Sequence, residues 1–464
     1  MTTFTHDLVV IGAGPAGISA ALTAASCGLK TLLLDEQLRA GGQIYRNITA
    51  VQPSVAALLG PDYRHGETLA NRLVGSGVEL GFGSAVWDVA RDLTVTAQKD
   101  GQSFQARSPQ LIAATGAMER PSPIPGWTLP GVLNAGAAQI TLKSAGAVPA
   151  GRVVLTGSGP LLLLVACQLL DAGVSVVGIV ETSARQSRWH ALRHLPAALR
   201  APAYLAKGAR MLWRLRRQGI PIFSAATGLR VEGQERAQAL AFKSGGSEYR
   251  MDADVVLLHH GVVPNTQLSR LLRVEHDWDP DQVAWRPRVD PWGETSLAGF
   301  RIAGDGAGIA GALAAEPAGV LAALGAARAL DRLTDSECDA RAKTARGQLE
   351  KQLRIRPFLD ALYRPPSWLA DPEDETIVCR CEEVTAGRIR EMARLGCQGP
   401  NQTKFFSRCG MGPCQGRMCG LTVTQILATE LGKNPVDVGA YHIRAPLKPV
   451  PLASLASLAT KTSD

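Results

Sequence analysis

A chain of 464 residues and 49.0 kDa is too large for one hydrophobic core and requires two to four domains. Hydrophobic residues make up 46%, charged residues 19%, and 48 residues are glycine, a soluble α/β composition that excludes disorder, collagen and coiled coil. The net charge of +8 does not indicate a nucleic-acid binder, because the excess sits in one stretch, Arg185 to Arg217, with nine basic residues and no acid.

The first residues, Met1 to Asp7, lack a basic region followed by an apolar core, which argues against secretion and for a cytoplasmic chain. An apolar strand, Asp7 to Ile11, then runs into Gly12-x-Gly14-x-x-Gly17 and an Ala-rich helix, and a second strand, Lys30 to Leu34, ends at Asp35. In this pattern the first glycine permits the tight turn, the second lets the backbone approach a pyrophosphate, and the third lets helix and strand pack closely. The phosphate rests on the helix N-terminus, and Asp35 is placed to accept hydrogen bonds from a ribose. The layout recurs at Arg152 to Thr156, Gly157-x-Gly159, a helix to Asp171 and a strand ending at Glu181, with Leu162 in place of the third glycine. The glycines and Asp171 interrupt the longest apolar stretch, Val153 to Val180, so no membrane span is expected.

Farther on, Leu205, Leu212 and Leu215 face away from Arg210, Arg214 and Arg217, as on an amphipathic surface helix or a docking face for a partner protein or anionic membrane. His259 and His260 end an apolar run and read as packing residues. Phe300 to Gly306 enters another Ala-rich helix, so the second dinucleotide unit is inserted into the first. The expected organisation is a dinucleotide domain at 1–120 and 285–345, a degenerate second one at 121–284, a linker at 346–375, a Cys-rich module at 376–430 and a tail at 431–464.

Three further segments, Gly41-Gly42-Gln43, Ala114-Thr115-Gly116 and Gly304-Asp305-Gly306, accompany the first fingerprint. With Gly261-Val-Val-Pro264-Asn265 they make residues 5–330 resemble the two-dinucleotide-domain flavoproteins that include thioredoxin reductase and lipoamide dehydrogenase. The resemblance implies FAD on Gly12, Gly14, Gly17, Asp35, Gly42, Gln43, Thr115, Gly116, Gly304 and Asp305, with Asp305 on the ribityl chain. Gly157, Gly159 and Glu181 would hold a second nucleotide. There Leu162 crowds the turn, and Glu181 suits a 2′-hydroxyl, leaving NAD, ATP or AMP, or an empty fold. The dinucleotide units contain Cys27 and Cys167, each alone on an apolar helix, so the redox cysteine pair of a disulfide reductase is missing.

Six of the nine cysteines fall between Cys379 and Cys419. Cys379-Arg-Cys381 and, after 32 residues, Cys414-x-x-x-x-Cys419 can supply four thiolates, two to each iron of a cluster or all four to a zinc ion. Arg380, Arg408 and Arg417 would offset the negative charge. The module resembles the 2Fe-2S domain of bacterioferritin-associated ferredoxin (BFD), under which Cys379, Cys381, Cys414 and Cys419 are ligands and Cys397 and Cys409 are spare. The expected fold is therefore α/β, a two-dinucleotide-binding-domain flavoprotein (pyridine nucleotide-disulfide oxidoreductase-like) with a C-terminal small helical BFD-like 2Fe-2S domain.

The combination, with Gly-Gly-Gln-Ile-Tyr-Arg46 and Gly126-Trp-Thr-Leu-Pro-Gly131, resembles the α (A) subunits of heteromeric flavin-dependent amino-acid and opine dehydrogenases. These include opine oxidase, hydroxyproline and proline dehydrogenases, and, in hydrogen cyanide synthase, the corresponding B chain. The resemblance implies an FAD-containing catalytic β subunit of glycine-oxidase type. It extends to a small ferredoxin-like subunit, FMN at the interface and a peripheral place at the inner membrane. No carboxylate clamp with an adjacent base is visible in this chain, so no catalytic residue is assigned to it. A self-sufficient NADH-dependent oxidoreductase and a scaffold with a structural adenine nucleotide remain open alternatives.

Overall fold

The computed structural model describes residues 5–459. Apolar strands without polar alternation are suited to a sheet covered on both faces, and the chain builds two such parallel sheets. The first has the order Phe300–Ile302, Gln110–Ala113, Leu8–Ile11, Thr31–Asp35, Glu79–Phe82, with Leu8 opposite Thr31 on one side and Gln110 on the other. The second has the order Ile222–Phe223, Ser175–Glu181, Arg152–Ser158, Val255–His260, Val132–Asn134. Helices Pro15–Ser26 and Ala312–Ala329 pack against each other on one face of the first sheet. A three-stranded antiparallel sheet accompanies each unit, at Ala85–Ala106 and Thr227–Asp252.

The chain leaves the first sheet through strand Ala117–Glu119 and returns through Val262–Pro264, and these two strands pair antiparallel. Arg120, just beyond the outgoing strand, is 4% exposed. Its guanidinium donates to the carbonyls of His260 on the return path and of Gln282 and Val283 in the first unit. Buried charge is costly unless its donors are used, and here the three carbonyls use them.

The stretch 346–375, expected as a linker, holds the end of helix Asp335–Leu353 and all of helix Arg356–Leu362. Helix Asp335–Leu353 starts at a capping box in which the Thr334 hydroxyl accepts from the Glu337 amide and Glu337 reaches back to the Thr334 amide. Its buried Cys338, Ala342 and Ala345 form a narrow inner stripe against helix Ala312–Ala329. Helix Arg356–Leu362 follows and packs on helix Arg185–Leu192. The basic helix, Pro202–Arg217, buries Met211 and Leu215 against helix Pro160–Asp171, and Arg214 pairs with Asp171.

In the Cys-rich module, helices Ala386–Arg394 and Gly420–Leu431 share one apolar core with the first sheet, and helix Pro400–Ser407 packs on both of them. Val378, Ile389, Val423 and Ile426 belong to the same buried cluster as Val9 and Leu34. The tail is ordered packing as well. Tyr441, Ile443 and Leu447 are buried in that cluster, and helix Leu452–Ala459 lies along strand Gln102–Ala106. Among the described residues no helix is long and apolar enough to cross a membrane.

Candidate functional site

The C-terminal ends of both parallel sheets open into one cavity of about 2200 Å³. Gly12, Gly14, Asp35, Gly42, Gln43, Thr115, Gly116, Gly304 and Asp305 all line it, and Gly17 packs behind. The backbone explains the glycines. Gly12 has φ +103°, and a side chain at Gly17 would collide with the Gly12 carbonyl. The Asp35 carboxylate accepts from the amides of Ala13 at 2.6 Å and Gln37 at 2.7 Å, while burial pushes its pKa up. Asp305 accepts from the amides of Ala310 and Gly311 at 2.9 and 2.8 Å, at the entrance to helix Ala312–Ala329.

Two cations not foreseen from the sequence complete this wall. Lys143, on helix Ala135–Ala145, is 3% exposed, and its ammonium donates to two neutral oxygens, Gln43 O at 3.2 Å and Gln139 Oε1 at 2.8 Å. Gln139 is held in turn by Gln168. Burial, with the neighbouring Arg46, lowers the Lys143 pKa to about 7. Arg46 Nε is buried with no partner, and neither cation forms an ion pair among the described residues. Uncompensated buried charge of one sign beside glycine turns suits a diphosphate, so the residues present fit a dinucleotide. Neither residue lies in a local motif; helix Ala135–Ala145 carries Lys143 to the wall.

At the second fingerprint Gly157 and Gly159 keep their positive φ, +135° and +128°. Leu162, expected to crowd the phosphate turn, points into the core of its own domain instead, with Leu155 and Val165. The side chain over the turn is His259, whose Nε2 lies 3.0 Å from where a Gly159 Cβ would stand and whose Nδ1 bonds Glu119 at 3.0 Å. Glu181 accepts from the Ser183 amide at 2.7 Å and from Arg188 at 3.3 Å. The hydroxyls of Ser158, Thr182 and Ser183 are buried without partners. The segment after helix Arg356–Leu362 reaches this edge, with Tyr363 close enough to Glu181 and Arg188 to sense both charges.

The cysteines gather differently from the expected four. The sulfurs of Cys379, Cys409 and Cys419 lie within 4.8 Å of one another, all buried. Cys381, exposed, faces Cys414 beside them. Cys409, read as spare, therefore belongs to the group, whereas Cys397 is buried outside it. The turn made by Gly410 (φ +87°) folds the chain back so that Cys409 meets Cys379, and the Gly410 amide donates to Cys379 Sγ at 3.5 Å. Thiol donors from Cys409 and Cys419, with that amide, hold Cys379 far below the ordinary thiol range and push the other two up. Three buried sulfurs within 4.8 Å of one another, with Cys381 and Cys414 beside them, are a set of soft donors that fits an iron–sulfur centre. Tyr441 lies across the loop. Its ring occupies the space that side chains at Gly410, Gly416 and Gly420 would need, and its hydroxyl donates to Cys409 O at 2.8 Å. Cys414, Arg417 and Met418 line the large cavity, and Lys448 pairs with Glu36 next to Asp35.

These features define a two-domain α/β flavin-dependent oxidoreductase. Residues 6–327 match the pyridine nucleotide-disulphide oxidoreductase family and residues 373–459 the sarcosine oxidase A3 domain. The A subunit of opine oxidase from Agrobacterium tumefaciens is 46% identical over 98% of this chain and 92% of its own length. The HcnB subunit of hydrogen cyanide synthase from Pseudomonas aeruginosa is 32% identical over 98% and 99%. The crystal structure of L-proline dehydrogenase from P. horikoshii superposes with a TM-score of 0.71 at 18% identity, over 97% of this chain and 79% of that one, and shares the fold. The chain belongs to the α (A) subunit family of heteromeric flavin-dependent amino-acid and opine dehydrogenases.

Proposed function

We propose that this chain is the FAD- and 2Fe-2S-binding subunit of a heteromeric dehydrogenase that oxidises an amino acid, imino acid or opine, with substrate oxidation carried out in a glycine-oxidase-like β subunit. The observation that carries the reading is the group of clustered cysteines beside the dinucleotide cavity, with Cys414 next to them in the cavity wall. FAD and a 2Fe-2S centre together supply the conversion of a two-electron reduction into single-electron steps. In this chain the turn at Gly12, Gly14 and Gly17, with Gly42 and Gln43, would receive the diphosphate, and Lys143 and Arg46 would neutralise it. Asp35 would accept from the adenosine ribose and Asp305 from the ribityl chain. Thr115, Gly116 and Gly304 would carry the backbone past the flavin.

For the centre, Cys381 and Cys414 would provide one thiolate pair, and Cys379 with Cys419 or Cys409 the other. In the second site, Gly157, Gly159 and Glu181, with the unpartnered hydroxyls of Ser158, Thr182 and Ser183 nearby, would hold any second nucleotide, ATP, AMP or NAD. Relatives that are subunits of heteromeric complexes support the presence of partner subunits, among which a small ferredoxin-like subunit and an interfacial FMN are further proposed components. The test is dye reduction with imino acids, opines and glycine, comparing this chain alone with the co-expressed complex. Turnover by the complex alone is expected; equal turnover by the isolated chain overturns the assignment of catalysis to the partner.

A further inference from the structure

Helix Pro400–Ser407 ends in Phe405 and Phe406, 79% and 63% exposed and edge-to-face with each other, and Met411, 45% exposed, follows in the cysteine loop. Single exposed apolar side chains need no explanation, whereas a group of large ones marks a contact surface. Phe406 comes three residues before Cys409 in the chain, and Met411 two residues after it. Met411 stands between Gly410, whose amide meets Cys379 Sγ, and Gly412, whose Cα is packed against the Cys381 side chain.

The surroundings are positive. Lys404, Arg444 and Arg273 all lie within electrostatic reach of His442, whose pKa burial and these cations lower, and Glu382 is neutralised by Arg408 at 2.8 Å. We propose that Phe405, Phe406 and Met411, framed by these cations, form the docking site of a small acidic electron-transfer protein. The inference rests on the iron–sulfur reading of the cysteines. Each encounter oxidises the cysteine-held centre by one electron and reduces the carrier by one, with no bond made and no proton needed. A small apolar centre ringed by charge suits a brief redox encounter, and opposite charge on the carrier speeds it.

The experiment uses the full chain, prepared without oxygen, with a plant-type ferredoxin as acidic probe and cytochrome c as basic probe. Iron and sulfide are assayed first, so that an iron-free protein refutes the iron–sulfur reading separately. Stopped-flow electron exchange with the ferredoxin should fall at least tenfold on raising salt from dilute buffer to about 0.3 M, because screening shortens the reach of the charges. Replacing both aromatics (Phe405→Ser with Phe406→Ser) should slow it at least tenfold and leave the reaction with ferricyanide within twofold. Calorimetric binding of the ferredoxin, which needs no electron transfer, should weaken in the same variant. Exchange and binding unchanged by the replacement, or a preference for cytochrome c, would overturn the proposal.

Discussion

Tyr441→Ala should loosen the cysteine site more than any other single replacement in the tail. The phenol ring is 4% exposed and lies 2.6, 2.7 and 3.0 Å from the positions that side chains at Gly410, Gly416 and Gly420 would occupy. Truncating a buried aromatic costs about 3–5 kcal/mol. Little relaxation is available here, because glycines on the other side of the gap have no side chains to move into it. Losing the hydroxyl alone, in Tyr441→Phe, removes the 2.8 Å bond to Cys409 O and costs about 1 kcal/mol. Anaerobic denaturant titration gives the stabilities, and the rate of iron transfer to a chelator reports on the loop. The alanine variant should shed iron much faster than the wild type and the phenylalanine variant only slightly faster. An alanine variant within about 1 kcal/mol of wild type, with unchanged iron release, would refute the claim that the ring holds this loop.

Replacing Cys409 or Cys419 by Ser tests which of the two is a ligand: one variant should lose the visible absorption of the centre, and Cys397→Ser should not. Gly17→Val should abolish dinucleotide binding, read as flavin released on heating, because its side chain would meet the Gly12 carbonyl. Lys143 should make the flavin-free protein gain stability as pH rises. Its folded pKa, about 7, lies below its ordinary value, so between those values the unfolded chain binds the extra proton. The penalty is full below pH 7 and is relieved toward pH 10. The slope, taken as the wild-type melting temperature minus that of Lys143→Met, should disappear when the diphosphate is bound. NADH should reduce the flavin slowly in anaerobic stopped flow, since His259 covers the second phosphate turn and Tyr363 stands at Glu181.

Both fingerprints were legible because their glycines are required locally, by a turn and a close packing that few other residues allow. What escaped the sequence depends on three-dimensional return. Cys409 joins Cys379 across 29 intervening residues through the Gly410 turn, and motif spacing alone made it look surplus. Lys143 sits in an ordinary helix and acquires meaning from Gln43 and Arg46, which come from another domain. Helix Asp335–Leu353, which runs on into the stretch expected as a linker, was hard to read because its inner face is small, Cys338, Ala342 and Ala345 among many charges. The effect attributed to Leu162 failed for a simpler reason: a side chain at a helix start can turn inward, leaving the turn unaltered.

Arg120 bears on how such a molecule can move. Enzymes built from two lobes commonly swing one against the other to present different partners to a single reactive centre, and the peptides joining the lobes must twist each time. Here one guanidinium fastens the outgoing peptide, the incoming peptide and a hairpin of the first lobe together. Twisting would strand a buried cation, at a cost of several kcal/mol. The Arg120 guanidinium therefore acts as a clasp that opposes rotation of one lobe against the other.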